Sequence, residues 1–219
     1  MYRVSVFIDW DSAARISSKG LAIRDPDAPL KSKETAISAI FEELQTKTLT
    51  KLNEITNNRR STIEKARIYH GWHQGTTATK DRIAWENAKS KIRSLRQGNS
   101  IFIPEIQFGN ELICRGTRVP LYDTLRQDQG GRKKTAKKFQ QKMVDTALTS
   151  DLLCYCRSES KNFRRDSEPN SAAIIIGDDD DLLPGAFVAE AWGMPTYIFR
   201  VSRDHESRHI SLSGIIHRI

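Results

Sequence analysis

The chain is poor in several features that would define its class. It holds three cysteines in 219 residues, Cys114, Cys154 and Cys156, and no CxxC pair. So odd and sparse a set argues against a disulfide framework or a structural zinc site, and fits a reducing cytoplasm. No apolar run approaches the roughly 18 residues that span a bilayer, so no membrane role is expected. The opening segment, Met1 to Asp9, meets an acid too soon for a secretory leader. No repeat and no linker between two cores is visible, so residues 1–219 are expected as one domain. What is present is a hydrophobic fraction of 38%, enough to fill a core and to exclude full disorder. Lys and Arg number 35 against 27 Asp and Glu, a net charge of +8. Such a surface favours polyanionic partners through phosphate attraction and counterion release.

Apolar patterning predicts strands at 3–8, 66–72, 101–103, 172–176 and 196–201, with a possible hairpin over 106–119. Helices are predicted at 32–57, 80–96, 138–157 and 184–192. The first has an apolar stripe through Ile37, Ile40, Phe41, Leu44 and Leu52. Its threonine-rich middle allows either one helix or two. The tail 211–219 fits a short helix or an edge strand. Strand and helix in alternation imply an α/β fold with a mainly parallel sheet covered on both faces.

In such a sheet the loops at the carboxyl ends of the strands share one edge, where ligands bind. Asp9 closes the first strand, and Asp178, Asp179, Asp180 and Asp181 follow the strand 172–176. Either group alone could be a turn or helix cap. Together they crowd carboxylates at one edge, and a hard cation such as Mg²⁺ or Mn²⁺ would relieve the repulsion. Asp145 lies near the start of the third helix. Asp151 is six residues on, about 120° round the helix, so the two need not face the same ion.

Three segments carry a family resemblance. They are Phe7-Ile8-Asp9-Trp10-Asp11-Ser12, the run from Lys142 through Asp145 to Asp151, and Gly177-Asp178-Asp179-Asp180-Asp181-Leu182-Leu183-Pro184. In this order they resemble the three motifs of NYN domains, which are PIN-like nucleases. The resemblance implies a three-layer α/β/α fold and a metal-dependent endoribonuclease, acting on RNA and not excluding DNA. It would place the metal ligands and catalytic acids on Asp9, Asp145, Asp179 and Asp181, with Asp11, Ser12, Asp151 and Asp178 as secondary candidates. Two departures stand out. Ser12 occupies a position where the family often has Asn, and residues 20–60 look like a helical insertion after the first strand.

Residues 126–138 form a basic loop ahead of the Asp145 helix. Arg132, Lys133, Lys134, Lys137, Lys138 and Lys142 would hold a nucleic-acid backbone there, or else form a solvated charged face. Tyr69, Trp72 and Trp10 could stack unpaired bases or fill the core. Two rival functions remain at this point. One is a PIN-like nucleic-acid-binding module with little or no catalysis. The other is a haloacid-dehalogenase-like phosphatase, with Asp9 as nucleophile and Asp11 as general acid/base.

Overall fold

The computed structural model describes residues 1–114, 117–127, 139–160, 169–201 and 210–219. The chain opens with β1 (Tyr2–Asp9), which buries Val4, Val6 and Ile8 on one face and Phe7 on the other. Short helices α1 (Trp10–Ala13) and α2 (Gly20–Arg24) lead into the long α3 (Leu30–Ile55). The next strand, β2 (Ser61–Tyr69), pairs parallel with β1. Parallel neighbours need a crossover, usually a helix, and α3 is that crossover.

The segment 20–60, read from the sequence as a helical insertion, holds this crossover and packs into the core. Ile37, Ile40, Phe41 and Leu44 of α3 are fully buried in the core cluster that also holds Val4, Val6 and Ile8. Each such side chain contributes roughly 1.5–3 kcal/mol, so the segment belongs to the core. The threonine-rich middle does not split it. The hydroxyls of Thr46 and Thr50 donate to the carbonyls of Glu42 and Thr46, each at 3.0 Å, and stay within the helix.

After β2 come a small hairpin, β3 (His73–Gln74) and β4 (Thr77–Ala78), and helix α4 (Lys80–Ala88). The helix expected to reach residue 96 stops early. Residues 95–97 instead form β5 (Leu95–Gln97), antiparallel to β6 (Ser100–Phe102). A two-residue turn joins them, and its Gly98 sits at φ +57°, where a side chain would be strained. Then follow β7 (Ile106–Phe108), a hairpin of β8 (Glu111–Cys114) and β9 (Thr117–Pro120), and a ribbon of β10 (Leu125–Gln127) and β11 (Phe139–Gln141).

Helix α5 (Val144–Ser160) begins later than expected, because 139–141 pair into the ribbon and Met143 takes φ +62°. The chain ends with β12 (Ser171–Ile176), α6 (Leu183–Ala191), β13 (Thr196–Arg200) and β14 (Ile216–Arg218). The tail is therefore an edge strand.

The main sheet runs β14-β13-β12-β1-β2-β6-β5, with β7 also paired to β2. All its pairings are parallel except β5 with β6. Side chains of α3 and α4 join one core cluster, and those of α5 and α6 join a second. The β12 residues alternate between them: Ala172, Ile174 and Ile176 lie in the first, Ala173 and Ile175 in the second. The fold is thus mixed α/β, with helices on both faces of a mainly parallel sheet. Among the described residues no helix is long and apolar enough to cross a membrane.

Candidate active site

The strand order reverses at β1. The chain moves outward on one side through β2 and β6, then returns to place β12, β13 and β14 on the other. The crevice beyond the carboxyl ends of β1 and β12 is the topological switch point, the usual ligand site of open α/β sheets.

Asp9 ends β1 at this crevice and also caps α1. Its Oδ1 accepts the Asp11 N–H at 3.2 Å, and its Oδ2 accepts the Ser12 N–H at 3.3 Å and the Ser12 hydroxyl. Ser12 Oγ in turn accepts the Asp178 N–H at 3.1 Å. Ser12 is thus a staple between the two loops. Gly177 allows their approach: a Cβ there would lie 2.8 Å from Leu182 Cδ1 and 3.4 Å from Asp9 Cβ. Burial pushes the Asp9 carboxyl up to about 6. The Ser12 hydroxyl opposes that shift, and the Asp11 and Asp145 charges add to it.

The run of four aspartates divides by role. Asp178 is buried; its Oδ1 accepts the Val201 N–H at 2.7 Å, and its Oδ2 lies 3.7 Å from Arg15 Nη1. Asp180 pairs with the buried Arg200, which also donates to the Asp178 carbonyl at 3.0 Å and the Ile210 carbonyl at 3.2 Å. Asp179 and Asp181 are exposed, and Asp179 accepts the Asp181 N–H at 3.0 Å. Asp145 is exposed in the first turn of α5, where an acid complements the helix dipole. Partial desolvation, then the charges of Asp179, Asp181 and Asp11, hold its carboxyl above the usual range.

These groups meet around a cavity of about 580 Å³ whose acidic lining is Asp9, Asp11, Asp145, Asp178 and Asp179. Ser12, Arg15 and Gln141 supply other polar groups there. Asp181 is not part of the lining, although its charge reaches Asp145. Among the described residues, no three His, Cys, Asp or Glu side chains are already drawn together as a ligand cage. The donor chemistry still fits a hard divalent cation. The groups are carboxylate oxygens that repel one another, and Asp9 Oδ1 accepts one hydrogen bond where Oδ2 accepts two.

Asp11 lines the cavity but is tied to partners at its rim. Its Oδ1 lies 3.2 Å from His70 Nδ1, and its Oδ2 accepts from the Gln141 amide. His70 is buried and bridges on to Asp81, with Nε2 at 3.3 Å from Asp81 Oδ2. Burial would depress the imidazole, but the two carboxylates outweigh it and push it up to about 10. Asp81 also meets Lys33 Nζ at 2.7 Å, and Lys33 is itself buried. This chain of alternating charges escaped the sequence reading. The one available signal was a lysine on the apolar stripe of Ala36, Ile37 and Ile40.

Asp151 lies elsewhere. Its Oδ2 accepts from the Tyr69 hydroxyl at 2.8 Å and forms an ion pair with Arg67, whose Nε lies 2.9 Å away. Burial raises its carboxyl, with Arg67 and Tyr69 opposing. Trp10, Tyr69 and Trp72 are fully buried, which removes them as base-stacking platforms. Trp10 packs edge-on to Trp85 with ring centroids 4.7 Å apart. Lys142 is exposed at the foot of the ribbon. Arg132, Lys133, Lys134, Lys137 and Lys138 lie outside the described residues, in the segment joining β10 to β11. Comparison with protein-family models, curated proteins and solved structures gave no match.

Proposed function

We propose that the protein is a PIN-like, metal-dependent endoribonuclease that hydrolyses phosphodiester bonds of single-stranded RNA. One observation carries this reading. Acids from three separate chain segments, Asp9, Asp145 and Asp179, converge on one cavity at the switch point, and no described basic side chain forms an ion pair with any of them.

In this reading Asp9, Asp145 and Asp179 would hold Mg²⁺ or Mn²⁺, with Asp181 adding negative charge beside Asp145. The bound cation supplies neutralisation of phosphate charge and a more acidic water. The chain's own residues do the rest. Ser12 fixes the Asp9 carboxylate between the two loops. Asp145, whose carboxyl is raised by partial desolvation and by the charges of Asp179, Asp181 and Asp11, would gain most directly from a cation placed among them. The basic segment 132–138, which joins two strands that reach the cavity, would grip the RNA backbone.

A phosphatase would need Asp11 as a proton donor. Burial works to raise that carboxyl, yet His70 and Arg15 hold it below the usual range, which works against that role.

The test is incubation of end-labelled single-stranded RNA with the protein and Mg²⁺ or Mn²⁺, with a small phosphate monoester in parallel. Internal cleavage abolished by a chelator supports the reading. Hydrolysis of the ester alone would point to a phosphatase, and RNA binding without cleavage to a binding module.

A further inference from the structure

Arg15 is the one basic side chain among the described residues lining the acidic cavity. It follows α1 in a 3-10 turn, six residues after Asp9, and its side chain is 37% exposed. Its nearest charged partner is Asp178 Oδ2, 3.7 Å from Nη1, an ion-pair approach too long for a hydrogen bond. Among the described residues the guanidinium makes no hydrogen bond at all. Of the uncharged polar groups of the lining, Ser12 is committed to Asp9 and Asp178 and Gln141 to Asp11, which leaves the Gln140 amide.

A contrasting arginine cluster shows what commitment looks like. Arg67, Arg82 and Arg118 line a second hollow beside β7. Each is paired internally, with Asp151 at 2.9 Å, Glu86 at 2.7 Å and Glu111 at 2.9 Å. Arg15, by contrast, keeps its fork of donors open, steered by a buried carboxylate that attracts its charge without using its N–H groups.

We infer that Arg15 is the residue that grips the substrate's phosphodiester, donating two N–H groups to its non-bridging oxygens beside the acidic centre. An arginine fork matches this geometry, and a lysine does not. The role also answers an electrostatic need, because a cavity lined by five carboxylates repels a phosphate, and Arg15 gives it a first attractive contact. The inference rests on the nuclease reading for its substrate.

The test measures both cleavage and binding of a short single-stranded oligoribonucleotide by wild type, Arg15→Gln and Arg15→Lys. Cleavage is followed with Mn²⁺, binding with Ca²⁺ in its place. Charged hydrogen bonds of this kind correspond to roughly a tenfold to hundredfold effect. Arg15→Gln should therefore weaken binding and raise KM by that factor, with a smaller fall in kcat. Arg15→Lys should recover part of the loss, and the thermal midpoints of the three proteins should agree. If wild type cleaves and Arg15→Gln keeps its KM and affinity, the inference fails and the nuclease reading stands. Equal losses in both variants with a lowered thermal midpoint would overturn it too, showing that Arg15 only supports Asp178. If wild type binds without cleaving, the nuclease reading fails, and the affinity ratio still judges Arg15. If wild type does neither, both fall.

Discussion

Asp9 and Asp151 are both buried acids, 8% and 6% exposed, and their surroundings are opposite. Asp151 is held by the Arg67 guanidinium and the Tyr69 hydroxyl, so its charge is answered inside the fold. Asp9 has only hydrogen-bond donors from its own turn, and the nearest charges acting on it are the acids Asp11 and Asp145. Its carboxyl, pushed from 3.8 to about 6, marks a cost of ionisation of about 3 kcal/mol. The chain of Lys33, Asp81, His70 and Asp11 repeats the Asp151 pattern of charges answered internally. A buried charge with a partner holds a fold together; one that gains only more like charge stores a cost that a ligand can relieve.

The contrast is sharpened first by Asp9→Asn. It removes a charge from the proposed cation's shell and leaves the shape, and should lower Mn²⁺-dependent RNA cleavage by roughly a thousandfold, given the several kcal/mol that a catalytic metal supplies. Asp179→Asn should lower it in the same direction. Full activity in both would break the account. Asp151→Asn should do the reverse. Leaving the half-buried Arg67 without its anion costs up to about 3 kcal/mol, read as a lower urea midpoint, while cleavage of the folded protein is kept. A cleavage loss in Asp151→Asn at unchanged stability would erase the distinction between the two acids.

A smaller effect concerns pH in the presence of chelator. Asp9 has a raised folded-state value, so its stabilising contribution is complete below about pH 4 and is lost as pH rises through about 6. Wild type should therefore lose up to about 3 kcal/mol of stability relative to Asp9→Asn across that window. Urea titrations at several pH values read the difference, and a pH-independent gap between the two proteins would show that Asp9 is not strained by its charge.

How legible this was in the sequence depended on distance along the chain. Strand ends at Asp9 and Ile176 could be read from short β-branched runs stopped by acids, and both face the same edge as expected. The alternation of roles in the aspartate run was only partly readable. The family resemblance singled out Asp179 and Asp181, but the partners that occupy Asp178 and Asp180, Val201 and Arg200, come from the end of β13. Ser12 looked like a defect and is a bridge, because its second partner lies 166 residues away. Likewise residues 20–60 looked added, since no local pattern reveals that a helix spans two parallel strands.

Asp9, Asp145 and Asp179, which pair with no basic side chain among the described residues, are proposed to form a divalent-cation site at the switch point. Calorimetric titration of Mn²⁺ into chelator-stripped protein near neutral pH tests it most directly, with Asp9→Asn alongside. The account predicts saturable binding to wild type that is lost in a folded Asp9→Asn protein. No binding to wild type, or equal binding to both, would contradict it.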